Sequence, residues 1–176
     1  MEIVVPEEFQ YLYVQNAERP VVKVPNAVLR EVAMPVEKID KKTFDFARTL
    51  LKVMDLANGI GLAAPQMGVS KRMFVMAPGD SKPLVMINPV ILKLDGEIIG
   101  EEGCLSIPGL YGDVKRFNYV ELEAFDAKGR SSKYEFEGLA ARVVQHEYDH
   151  LDGVLFTDKV DLATLHWVHP GGKDED

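Results

Sequence analysis

One helix limits what this chain can become. The run Leu139-Ala140-Ala141-Arg142-Val143-Val144-Gln145-His146-Glu147-Tyr148-Asp149-His150-Leu151 contains H-E-x-x-H at His146, Glu147 and His150. At about 100° per residue, Leu139, Val143, His146 and His150 fall in one stripe. Arg142, Gln145, Asp149 and Asp152 fall on the opposite side, which predicts a polar outer face. Two inward imidazoles one turn apart can both reach a single metal ion. Buried without a partner, the same two rings would be costly. Glu147 stands one step round the same side, where it can touch a water on the metal without ligating the ion. The chain must therefore fold around this helix.

Two histidines do not complete a tetrahedral site. The extended pattern H-E-x-x-H-x-x-G-x-x-H keeps its glycine as Gly153 but has Phe156 where the third histidine would stand. A downstream glutamate would have to be Glu175, in the terminal charge cluster. His166 and His169 sit beside Pro170 and read as surface or capping residues. The remaining candidate lies upstream, in Gly100-Glu101-Glu102-Gly103-Cys104-Leu105-Ser106-Ile107-Pro108-Gly109. Cys104 is the only cysteine, so it makes no internal disulfide, and the chain reads as intracellular and reduced. Free cysteines are usually small apolar core residues. The flanking glycines, acids and Pro108-Gly109 place this one at a strand end or bend instead. Its thiolate can join the two imidazoles as a ligand, leaving a fourth position for water. The other reading is a cysteine nucleophile with a histidine base, which leaves Glu147 without a role.

A chain of 176 residues is one ordinary domain, with 47% hydrophobic and 27% charged residues. Apolar runs are too short to span a membrane. A net charge of −8 argues against a nucleic-acid partner. The start, MEIVVPEEFQ, has neither the basic head and apolar core of a signal peptide nor the arginines of a transit peptide, so the expected location is cytoplasmic.

Local patterns predict an α+β domain. A helix is expected over Lys41–Ala57, N-capped by Asp40 and stopped at Asn58-Gly59. Candidate strands follow at Met73–Ala77, Val85–Asn88, Val90–Leu92 and Glu97–Ile99, then a hairpin of Tyr119–Phe125 with Lys133–Phe136. The histidine-bearing helix runs from after Gly138 to about Asp152-Gly153. Residues 1–20, broken by Pro6 and Pro20, read as an irregular or extended N-terminal extension. Residues 21–169 form the domain, and 170–176 a flexible acidic tail.

The segment Gly59-Ile60-Gly61-Leu62-Ala63-Ala64-Pro65-Gln66 lacks the lysine of a phosphate loop and the spacing of a dinucleotide loop. Its small residues let backbone approach a ligand closely. Gln66 can offer an amide donor to a developing oxyanion.

Three segments in order, GIGLAAPQ at Gly59–Gln66, EGCLS at Glu102–Ser106 and QHEYDH at Gln145–His150, resemble the signature motifs of peptide deformylases. The similarity runs from about Val21 to Asp158. The resemblance implies a compact single α+β domain, with mainly antiparallel sheets around the central H-E-x-x-H helix. It implies Cys104, His146 and His150 as ligands of Fe²⁺, with Zn²⁺ or Ni²⁺ as substitutes. It also implies Glu147 as acid/base, and the Gln66 amide with the Leu105 backbone N–H as the oxyanion site. The implied reaction is hydrolysis of the N-formyl group from the initiator methionine of new polypeptides. Ile60, Leu139 and Val143 can form an apolar pocket for that side chain, behind an entrance lined by Gly59 and Gly61.

The partners so implied are N-formylmethionyl peptides and, transiently, the ribosome, for a monomer or homodimer. The alternatives are an H-E-x-x-H metallopeptidase on other amide bonds and a non-catalytic, metal-braced domain. Tyr111 departs from the arginine that many deformylases carry. An acidic end after Trp167 replaces the long basic helix of some members.

Overall fold

The computed structural model describes residues 1–170. The tail expected at 170–176 lies outside the described residues except for Pro170, as does Glu175.

The first helix, α1, spans Lys41–Leu56, and the Asp40 side chain accepts the Thr43 N–H at 3.1 Å, as its N-cap position predicts. It stops at Asn58, whose φ of 53° puts the chain in the left-handed region. The described residues then form eight strands and a second helix: β1 Gly61–Ala63, β2 Met73–Met76, β3 Leu84–Asp95, β4 Ile98–Cys104, β5 Ile107–Arg116, β6 Tyr119–Phe125, β7 Ser131–Glu137 and, after α2 (Gly138–Leu151), β8 His166–Trp167. An antiparallel five-stranded sheet has the order β1-β2-β3-β6-β7, and a three-stranded one the order β4-β5-β8. This is the expected α+β arrangement.

Strand β2 explains how the large sheet is buried on both faces. Successive side chains point to opposite sides. Phe74 and Met76 join Val120, Leu122, Ala141 and Val144 under α2. Met73 and Val75 join Leu50, Met54 and Leu62 under α1. An uninterrupted apolar run is what a doubly covered strand requires. The small sheet closes a third cluster of Ile107, Leu110, Val114, Leu155 and Phe156.

Several boundaries differ from the sequence reading. Asn88-Pro89 bulges β3 rather than ending it: Asn88 has φ 49°, and the register shifts between Ile87 and Val90. Strand β5 goes unmarked in the sequence because Pro108, Gly109 and Gly112 break its apolar pattern, yet it pairs with β4 along nearly its whole length. The N-terminal extension is not wholly irregular. Glu7–Tyr13 forms a 3₁₀ turn whose Phe9 is buried.

The largest correction concerns α2. The face expected to be polar and outward is covered, because the small sheet packs where solvent was expected. Arg142 and Gln145 are buried, while Leu139 is 54% exposed. Arg142 Nη1 donates to Glu102 Oε1 and to the Val114 carbonyl, each at 2.8 Å. Gln145 clamps Phe117, accepting its N–H at 2.9 Å and donating to its carbonyl at 2.8 Å. The helix is thus central, with a sheet on each side.

Candidate metal centre and active site

Cys104 is the last residue of β4, at the register shift where the hairpin turns through Leu105-Ser106 into β5. That turn brings the thiol against α2. Cys104 Sγ lies 3.4 Å from His150 Nε2, and one donor atom each from Cys104, His146 and His150 lie within 4.8 Å of one another. Among the described residues this is the one such cluster of three or more candidate ligands.

The donor set fits a divalent transition metal, since one thiolate and two imidazoles suit zinc or iron. Each ring has a nitrogen to spare. His146 Nδ1 is held by Glu102 Oε2 at 2.9 Å, which leaves Nε2 for an ion. His150 turns Nε2 toward the thiol, and its Nδ1 is buried with no hydrogen-bond partner among the described residues. Burial lowers the pKa of His150, which favours the neutral imidazole that ligates. Burial pulls His146 the same way, but the neighbouring Cys104 and Glu102 prevail and raise it.

Glu102 anchors this arrangement from behind. It accepts from Arg116 Nε at 2.8 Å and Nη2 at 2.9 Å, besides Arg142 and His146. Burial opposes its charge, yet these partners hold its carboxyl far below the ordinary 4.5. Arg116 also donates to Asp149 at 2.6 Å, which ties the C-terminal part of the helix to β5. Residue spacing alone gives Glu102, Arg116 and Arg142 no role. The available signal was a glutamate just before Gly-Cys, together with an arginine on the supposedly outer face of the motif helix.

Glu147 is 4% exposed, and its Oε2 has no hydrogen-bond partner among the described residues. Burial pushes its pKa up to about 7, partly offset by His146. A carboxyl that exchanges a proton near neutrality suits general acid/base work. The glycines of GIGLAAPQ make room for the site's own side chains, and Glu147 fills the space beside Gly61. A Cβ at Gly61 would overlap Glu147 Oε1, and one at Gly59 would come within 2.8 Å of Leu105 Cδ1. Gly61→Ala should therefore displace the carboxylate and lower kcat by about 100-fold while leaving metal content intact. Steady-state turnover beside metal analysis checks this, and unchanged kcat would refute the close fit.

Gln66 is buried just after β1. Its Oε1 accepts the Ala63 N–H at 2.9 Å, which directs its Nε2 toward Ser106 Oγ at 3.2 Å and Cys104 Sγ at 3.6 Å. Its backbone is fixed as well, since the Val22 N–H donates to its carbonyl at 2.8 Å. A cleft of about 650 Å³ opens onto this constellation. Gly59, Ile60, Gly61, Gln66, Cys104, Leu105, Leu139, Val143, His146 and Glu147 all line it, and His150 lies behind them. His166 is elsewhere, exposed and 3.3 Å from Glu101 Oε2, and His169 stacks on Phe9, so neither joins the cluster.

A buried, unpaired glutamate beside a three-donor metal cluster in an open cleft defines a metal-dependent hydrolase. Comparison with known proteins narrows the class. The polypeptide deformylase family profile matches residues 18–165. A peptide deformylase of Dictyoglomus thermophilum is 47% identical over 147 residues, covering 84% of this chain and 95% of that one. Peptide deformylase 1 of Bacillus anthracis is 48% identical over 141 residues, covering 80% and 90%. The crystal structure of the Thermus thermophilus peptide deformylase superposes with a TM-score of 0.78 at 43% identity, covering 81% of this chain and 85% of that one. The chain belongs to the peptide deformylase family. Its reaction is removal of the N-formyl group from newly made polypeptides, and the peptidase and non-catalytic alternatives are not favoured.

Proposed function

We propose that Cys104, His146 and His150 hold Fe²⁺, that Glu147 moves the proton, and that Gln66 Nε2 and the Leu105 N–H receive the oxyanion. The observation that carries this reading is the buried Glu147 carboxyl beside the convergent thiol and imidazoles. A bound divalent ion supplies Lewis-acid polarisation and lowers the pKa of water toward neutrality. Glu147 takes the proton from the attacking water and delivers it to the leaving amine nitrogen, its raised pKa suiting both transfers. Gln66 needs no reorientation to stabilise charge on the formyl oxygen, because Ala63 already fixes its amide.

Ile60, Leu139 and Val143 form the apolar side of the cleft and receive the methionine side chain, with Gly59 and Gly61 at its narrow mouth. Residues 21–169 form the catalytic domain, and the segment before them is an extension of it. No helix among the described residues is long and apolar enough to cross a membrane. A cytoplasmic enzyme, monomeric or homodimeric and meeting the ribosome transiently, fits the nascent-chain substrate.

Protein purified without oxygen should carry iron and release formate from formyl-Met-Ala-Ser, while leaving acetylated and unblocked peptides intact. Air should abolish that activity in the iron form, and nickel replacement should protect it. An iron-free preparation with full activity that is indifferent to air would refute the metal assignment.

A further inference from the structure

We propose that Phe9, outside the segment the family profile matches, is a positioning residue that sets the outer wall of the substrate cleft. The inference rests on the deformylase reading of that cleft. Pro108, Gly109 and Tyr111 of β5 line one side of the cleft, and Pro170 lies at its edge. Gly109 has φ +86° and no side chain, so its neighbours must hold its backbone in place. Phe9 does so from behind. A Cβ at Gly109 would come within 2.9 Å of Phe9 Cδ1 and 3.3 Å of Leu12 Cδ1, so the phenyl ring occupies the space a side chain would need.

The same ring supports the second strand at this edge. It stacks on His169 at 4.1 Å and 12°, and leans on Trp167 at 5.0 Å and 38°. Trp167 pairs with Leu110, and the Val168 N–H donates to the Gly109 carbonyl at 2.8 Å. One buried aromatic thus backs both β5 and the chain leading to Pro170. The turn that carries it is tied down in part by Arg19 Nη1, which donates to the Tyr11 carbonyl at 3.2 Å.

The reacting groups are held by other bonds. The Val22 N–H fixes Gln66 and the Val24 N–H fixes Ser106, both beyond the extension's turn, and Glu102 fixes His146. Emptying the space behind Gly109 should therefore loosen the wall that contacts the peptide without moving the chemistry. In kinetic terms, binding shared by ground state and transition state is lost, so KM rises and kcat stays.

The test uses the full chain with Phe9→Ala and Phe9→Leu, assayed on formyl-Met-Ala-Ser with metal content measured alongside. Phe9→Ala should raise KM by about tenfold with kcat within about twofold of wild type, and Phe9→Leu should recover part of the loss. Amide exchange should quicken at Gly109–Tyr111 in Phe9→Ala but not at Gly61–Gln66. If the alanine variant does not fold, the leucine variant decides by the same KM and exchange readouts. Wild-type KM, or a fall in kcat at unchanged KM, overturns the proposal. Failure of the wild-type protein to turn over the formyl peptide would instead strike the deformylase reading itself.

Discussion

Glu147→Gln should lose about a thousandfold in kcat while binding its metal as tightly as wild type. The amide has nearly the shape of the carboxylate but cannot accept and return a proton at neutral pH. Folding should not suffer, because Glu147 Oε2 is buried without a partner among the described residues, so no hydrogen bond from them to that oxygen is lost. Reduced turnover with normal metal content and an unchanged melting temperature separates a proton-transfer role from a structural one. Turnover within a few-fold of wild type would remove Glu147 from the mechanism. A loss of metal would make it a ligand instead.

The second large effect is expected at a residue outside the proposed ligand set and proton path. Glu102→Ala should cost roughly 3–5 kcal/mol of stability, because removing one partner strands the other charges in the interior. Two guanidiniums depend on this carboxylate, and the Arg116 and Glu102 side chains are only 2% and 4% exposed. His146 would lose the acceptor at its Nδ1, so metal affinity should fall by about 10–100-fold as well. Glu102→Gln keeps the shape and should fall between the two. Melting curves with and without metal, followed by chelator titration, measure both parts. An alanine variant that melts with wild type would show that the network contributes no net stability.

Both predictions depend on α2, and the sequence reveals only half of that helix. His146 and His150 share a stripe because H-E-x-x-H at 3.6 residues per turn requires it, whatever surrounds the helix. The Asp40 cap of α1, the Asp126–Gly129 turn of the β6–β7 hairpin, where the Gly129 N–H donates to the Asp126 carbonyl at 3.0 Å, and the apolar run of β2 are equally local signals. The other half depends on long-range contacts. Arg142 and Gln145 look like solvated residues until the β4–β5 hairpin covers them. Strand β5 is itself obscured by Pro108 and by the glycines that its close packing against Phe9 and Val160 requires.

Much of this protein's chemistry is legible in the chain before it folds. The helical stripe offers two candidate ligands, the only thiol offers a third, and the motif order points to a deformylase. These are matters of residue type and spacing, which periodicity preserves. The tertiary structure decides what those residues become. Cys104 meets His150 across 46 positions of chain because β4 ends where α2 passes. Glu102 becomes the anchor of His146, Gly61 makes room for Glu147, and Phe9 becomes the backing of a cleft wall. Each of these depends on contacts between segments far apart in the chain, and no local pattern encodes a neighbour that only folding supplies.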